Sequence, residues 1–345
     1  MAGRFPSPPE RSLTTPFCTL VGVRHPVVQG GMGPPHSSPE LVAAVSNAGG
    51  LGVLGCSGLT AEEIAANAAR IRELTQEPFG LNLLLFASTD DAVTAVLAER
   101  PRVVSFAWAR MDQPLQAIVA RAHDGGSLVM PIVSSRAEAR RAAAAGADVV
   151  VAQGTEGGGH VGVMGTMALT PQVVDAVAPL PVLAAGGIAD GRGLAAASML
   201  GAAGVLLGTR FLATAEAPIS DAVKRVILNS DGSDTDLTEI PDIIAGRVWP
   251  GAFARSWRNA LIREWSGREW ELRQRRPAVA AATATARATD DVEHMPILFG
   301  QDAGLIAAIE PASVVVERIV REAVALLGQG AGLLTAAGEP GSAER

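Results

Sequence analysis

The chain has 345 residues, 48% of them apolar and 18% charged, with a formal net charge of −7. This composition excludes a disordered chain, and an acidic balance without a long basic run argues against a nucleic-acid partner. The only cysteines, Cys18 and Cys56, lack metal-type spacing and point to a reducing compartment rather than a structural disulfide.

Residues 1–25 read as an N-terminal extension. It has no apolar core of the kind a signal peptide needs, and no apolar run anywhere reaches the roughly 18 residues needed to cross a bilayer. The expectation is a cytoplasmic protein without membrane contact. From there to residue 218, short apolar runs alternate with amphipathic stretches. The runs Pro26–Gln29, Leu51–Gly55, Phe79–Phe86, Val103–Trp108, Leu128–Val133, Asp148–Gln153, Pro181–Ala185 and Gly204–Gly208 read as strands. Helical patterns fall between them at Glu40–Asn47, Ala61–Thr75, Pro114–His123, Arg136–Ala145 and Arg192–Leu200. The strand runs are almost continuously Val, Leu, Ile and Ala, which marks strands buried on both faces of a parallel sheet. Eight such strands at roughly 25-residue spacing suit an α/β fold of the closed (β/α)₈ TIM-barrel type, with an open doubly wound sheet as the competing architecture.

Beyond the eighth strand the pattern changes. Residues 219–310 read as a helical appendage and linker, helix-like over 219–275, with Trp249, Trp257, Trp265 and Trp270. The Ala/Thr-rich stretch near 276–291 reads as a weak helix or a linker. Residues 311–328 form an amphipathic helix that returns to the barrel, with Val316, Ile319, Val320, Ala323 and Leu327 on one face. Residues 329–345 read as a frayed tail. Lys224 is the only lysine and is expected on the surface, and no Gly-Lys pair exists to build a Walker A loop.

In a barrel of this kind the active site lies at the C-terminal ends of the strands. Those ends carry QGGMG (29–33), Asn82, QGTEGGGHVG (153–162), AAGGIADG (184–191) and LGTRF (207–211). Glycines at strand ends let a flat or anionic ligand approach the backbone. The ends of strands seven and eight are the usual phosphate site, and main-chain N–H groups there need no lysine. Arg210 is expected either to assist or to be salt-bridged below the rim. Of five histidines, His25, His123 and His294 read as surface or capping groups, and His36 as a loop residue that either reaches the mouth or has no role. His160 stands apart on its glycine-rich strand-end loop, four residues after Glu156, as a candidate general acid or base. The alternative, a histidine that only ties down its own loop, stays open. Metal binding is not expected, because no second histidine lies at ligand spacing. The loop after the sixth strand has no nucleophilic cysteine, Cys56 has no activating partner, and the chain has no tyrosine.

Together, PVVQGGMG, AAVSNAGGLGVLG, EPFGLNLLLF, VVAQGTEGGGHVG, LAAGGIADGRGLAAASMLGAAGVLLGTRF and MPILFGQDAGLI resemble the nitronate monooxygenase (2-nitropropane dioxygenase) family. Flavin-dependent enoyl-ACP reductases and NAD(P)H:quinone reductases share most of these motifs. The resemblance implies a noncovalent FMN. Gly31, Met32 and Gly33 would lie beside its ring, and Asn82 and Gln153 at the ring edge or ribityl chain. Gly158 and Gly159 would pass close to the cofactor, and Gly186, Gly187, Gly208 and Thr209 would hold the phosphate. His160 matches the family's catalytic histidine. The implied activity is oxidation of alkyl nitronates or nitroalkanes by O₂ to carbonyl compounds and nitrite. An NAD(P)H-dependent reductase and a non-catalytic binding barrel are the alternatives. The sequence departs from the family at EGGGH, where EAGGH is usual, and at MPIVSSRAEAR, which lacks a lysine common in the monooxygenases. The tryptophan-rich appendage is expected to cover the pocket or to form a homodimer contact.

Overall fold

The structure, a computed structural model, describes residues 12–330. The first eleven residues of the expected extension and most of the expected tail lie outside the described residues. Chain order runs α1 (Pro16–Val21), β1 (Val27–Met32), α2 (Pro39–Asn47), β2 (Leu51–Gly55), α3 (Ala61–Leu74), β3 (Phe79–Leu84), α4 (Asp90–Ala98), β4 (Val103–Ala107), α5 (Leu115–Asp124), β5 (Leu128–Val133), α6 (Arg136–Ala144), β6 (Val150–Gln153), β7 (Gly159–Val161), α7 (Thr166–Val177), β8 (Val182–Ala185), α8 (Gly191–Met199), β9 (Gly204–Leu207) and α9 (Thr209–Leu212). It continues through α10 (Asp221–Asn229), β10 (Thr235–Thr238), α11 (Ile240–Ala245), β11 (Phe253–Trp257), α12 (Ala260–Trp265), α13 (Glu269–Ala288) and α14 (Ala312–Gly330).

Strands β1 to β6, β8 and β9 close a parallel barrel, with β9 pairing back to β1 through Val28 and Leu206. The eight runs read from sequence are these eight strands, two with the same bounds and the others with ends moved by at most three residues. Their side chains are buried on both sides, which is why the runs show no alternation. The helices start where side chains can cap them. Ser38, Thr89, Ser135 and Ser220 each accept a first-turn N–H, and Thr60 with Glu63 forms a reciprocal capping box.

The two ends of the barrel are closed differently. At the N-terminal end, α1 adds Phe17, Cys18 and Val21 to the cluster of inward strand residues Val28, Leu51, Val53, Val103 and Met130. Arg102 holds α1 there by donating to the carbonyls of Leu20 and Val21. At the C-terminal end a cavity remains. On the outside, α14 packs Val315, Val316, Ile319, Val320 and Ala323 against α8 and α2, so the returning helix is as read.

The appendage is not purely helical. Strands β10 and β11 pair antiparallel, and β11 pairs in turn with β7, placing Ala254 opposite His160. These strands are too short and too polar to give a sequence signal. The Ala/Thr-rich stretch is part of a continuous helix, α13, whose Leu272 and Val279 pack against Ile240, Ile243, Leu261, Ile262 and Trp265. Lys224 is also not where the sequence placed it: it is only 6% exposed, on the buried side of α10.

Candidate active site

One cavity, about 240 Å³ by the space open to the centre of a water molecule, occupies the C-terminal mouth of the barrel. Its wall contains every residue singled out from the sequence: Gly31, Met32, Gly33, Asn82, Gln153, Gly158, Gly159, His160, Gly186, Gly187, Gly208 and Thr209. The sequence separates these residues by as many as 178 positions; the barrel brings them together because each sits at or just past the end of an inward-leaning strand.

The glycines have separable reasons. Gly186 and Gly187 turn the chain after β8 with φ of +95° and +73°, which a side chain would strain. A Cβ on Gly31 would meet the Cβ of Asn82 at 2.3 Å, and one on Gly158 would meet the backbone of Phe299 at 2.5 Å. Gly33, Gly159 and Gly208 are different, since a Cβ at any of them would project into open space. All three leave space open, and Gly159 also takes a φ of +74° that a side chain would strain. A shallow wall of backbone, open at the ends of β1, β7 and β9, fits a flat ring carrying a phosphate arm. Asn82 donates to the Ser105 hydroxyl at 3.1 Å, which fixes its amide at the cavity wall.

His160 sits on β7, held in place by the pairing of that short strand to β11. Its Nε2 lies 2.8 Å from Oδ1 of Asp242 on α11, and the two side chains are 13% and 11% exposed. Glu156, the acidic neighbour in sequence, does not meet the imidazole. Its carboxylate accepts from the N–H and hydroxyl of Thr166 at the start of α7. Trp249, from the loop between α11 and β11, stacks on the imidazole with ring centroids 3.3 Å apart and planes 9° from parallel. Phe86 and Trp108 contact Trp249 on the barrel side, at 4.5 and 6.1 Å between centroids. A hydrogen bond fixes the rotation of the imidazole, and a stacked ring fixes its plane. With Asp242 accepting from Nε2–H, Nδ1 is the nitrogen left to take or give a proton.

Sequence reasoning missed Asp242 and Trp249, which lie 82 and 89 positions from His160. The sequence points the tryptophan-rich appendage toward the pocket or a homodimer contact, without singling out Trp249. His36 lines the cavity, with Nδ1 2.9 Å from the Gly33 carbonyl. Burial holds its pKa below the usual histidine value, so it is neutral near neutral pH. Leu298, Phe299 and Asp302 also line the cavity, on a C-terminal segment that crosses back over the mouth. There Gly300 N–H donates to the Thr209 hydroxyl at 2.8 Å.

Other expectations resolve into structure. Arg210 is 1% exposed and donates to the carbonyls of Ala213 and Ala308, with Glu310 at 3.8 Å, so it braces the region below the rim. Cys56 is buried, and burial pushes its thiol up to about 12, which leaves no thiolate for chemistry. Among the described residues, no group of three or more His, Cys, Asp or Glu side chains is placed to hold a metal. Among them, too, no helix is long and apolar enough to cross a membrane.

The fold and the cavity define a class: a TIM barrel whose glycine-lined mouth presents one oriented histidine, as in flavin-type oxidoreductases. The chain belongs to the nitronate monooxygenase family, whose profile matches residues 14–92 and 86–322. It is 45% identical over 239 residues to (3aS,4S,5R,7aS)-5-hydroxy-7a-methyl-1-oxo-octahydro-1H-indene-4-carboxyl-CoA dehydrogenase of Mycobacterium tuberculosis. That match covers 68% of this chain and 66% of the relative. FabK of Thermotoga maritima superposes with a TM-score of 0.83 at 33% identity, covering 94% of this chain and 100% of FabK. A nitroalkane oxidase of Streptomyces ansochromogenes superposes with a TM-score of 0.79 at 29% identity, covering 92% and 99% of the two chains. The chain is therefore an oxidoreductase.

Proposed function

We propose that the chain is an FMN-dependent oxidoreductase whose His160 moves a proton at the carbon next to a group that spreads negative charge. A coenzyme A thioester is the substrate class that the site favours. The observation that carries this reading is the oriented pair His160–Asp242 beside an aromatic wall of Trp108 and Trp249. The pair supplies a base. The wall offers apolar area suited to a bulky hydrocarbon acid more than to a small nitro compound. The 45%-identical relative, named for a bicyclic carboxyl-CoA, supports the same choice.

When bound, FMN supplies the two-electron acceptor or donor. The residues do the rest. Gly186, Gly187, Gly208 and Thr209 would hold the phosphate, and Asn82 and Gln153 the ring edge or ribityl chain. Gly31, Met32, Gly33, Gly158 and Gly159 would border the ring. His160 Nδ1 takes the α-proton or returns it, and the Asp242 carboxylate steadies the imidazolium that results. The aromatic wall keeps water from the reacting carbon.

Nitronate or nitroalkane oxidation with O₂ is the second reading, favoured by the family profile and by the likeness to a nitroalkane oxidase. A nitronate is the nitro counterpart of a thioester enolate, so one histidine serves either. The FMN-loaded protein should be mixed anaerobically with a cyclic carboxyl-CoA, its α,β-unsaturated counterpart plus NAD(P)H, and an alkyl nitronate. Flavin reduction by the saturated CoA ester, or NAD(P)H-driven reduction of the unsaturated one, supports the thioester reading. Oxygen-dependent nitrite release, with no response to either CoA ester, replaces it with the nitronate reading. A protein that takes up no flavin would be a binding barrel.

A further inference from the structure

We propose that Asp302 belongs to the cofactor's phosphate site in its acid form, so that a phosphate-bearing flavin binds together with one proton. The inference rests on the FMN reading above and concerns a residue outside the set assigned there.

Asp302 lies in the short 3₁₀ turn Gln301–Leu305, which the C-terminal segment carries across the barrel mouth. Its side chain lines the cavity beside Gly208 and Thr209, yet the residue is only 5% exposed. Among the described residues no Lys, Arg or His lies within ion-pairing distance of it. Its carboxyl lies by Gly300, whose N–H donates to the Thr209 hydroxyl at 2.8 Å. That hydroxyl has a single proton to give. If Asp302 is ionised, its carboxylate competes with a phosphate for that proton. Two anions would then also face each other away from water. If Asp302 is protonated, its O–H donates to Thr209 or to the phosphate, the Thr209 proton is released toward the ligand, and the repulsion is gone.

The surrounding charges leave this choice open near neutrality. Arg210, whose charge acts on Asp302, is turned toward the Ala213 and Ala308 carbonyls, with Glu310 beside it and Arg318 paired to Glu310 behind. Glu156 presents its main-chain oxygen to Gln301, while its carboxylate is taken up by Thr166. The helix packed under the turn, α10, carries Asp221, Lys224 and Arg225. His36, across the cavity, is held below the usual histidine value, and His160 stands at the cavity wall with Asp242. Burial outweighs the pull of Thr209 and Arg210 and pushes the Asp302 carboxyl up to about 7.

The sign follows from linkage. Affinity for FMN is level below about pH 7, where Asp302 already holds its proton. Above that it falls toward about tenfold per pH unit. The phosphate's own second ionisation, near pH 6, lies below this window. The test is equilibrium binding of FMN and of riboflavin to the flavin-stripped full chain between about pH 6.5 and 9, read by flavin fluorescence. The expected result is an FMN Kd that rises at least about tenfold across the range. Riboflavin, which lacks the phosphate, should show a level Kd, and so should FMN with the Asp302→Asn variant. A level FMN Kd in the wild type, an unchanged slope in Asp302→Asn, or parallel FMN and riboflavin curves would overturn the inference while leaving FMN as the cofactor. The two wild-type curves decide the matter even if the variant fails to fold. Failure of both flavins to bind at any pH would remove the cofactor reading and this inference with it.

Discussion

At the scale of single residues the site rests on one imidazole held in two ways. Asp242 fixes its rotation, and Trp249 fixes its plane. Replacing Asp242 by Asn keeps the size of the side chain but removes the anion that steadies a protonated His160. Turnover is expected to fall by about a hundredfold or more, in the range usual for losing general-base assistance. Flavin content, measured by absorbance of the purified variant, should not change. A second residue-scale expectation concerns Gly208, whose missing Cβ leaves open cavity and not protein contact. Gly208→Val should fold with a melting temperature close to wild type and bind FMN at least about tenfold more weakly, because only space for the ligand is filled. A large loss of melting temperature would show instead that this glycine serves the chain.

At the scale of elements, the barrel strands were legible because strands buried on both faces write continuous apolar runs. The glycine-rich strand ends proposed to hold a phosphate were visible because Gly186, Gly187 and Gly208 follow such runs directly. The β7–β11–β10 sheet was not. Strand β7 has three residues, and its pairing depends on β11, more than 90 positions later. Asp242 was hidden for the same reason, since nothing local in EIPDIIAG ties it to His160. Lys224 looked like a surface residue because helical spacing alone does not reveal which face of α10 is covered. The returning helix α14 was legible from its apolar face, but its closeness to α8 was not. A Cβ on Gly191 would meet the Cβ of Glu322 at 2.3 Å and the Ala323 nitrogen at 2.6 Å. Gly191→Val should push the two helices apart at a cost of about 1–3 kcal/mol. A thermal melt would register it as a drop of several degrees, with flavin affinity in the folded state preserved.

At the scale of the whole molecule, the appendage completes the site that the barrel begins. The barrel supplies the backbone cradle, and residues beyond 218 supply Asp242, Trp249, Phe299 and Asp302. On the proposed function, that division would let the barrel hold the cofactor while the later segments choose the substrate. The most direct test of the account is the rate at which bound FMN loses its oxidised absorbance when substrate is added anaerobically, compared between wild type and His160→Ala. Equal flavin occupancy, with reduction slowed at least about a hundredfold in the variant, is the expected result. Equal rates, or no flavin taken up by either protein, would contradict it.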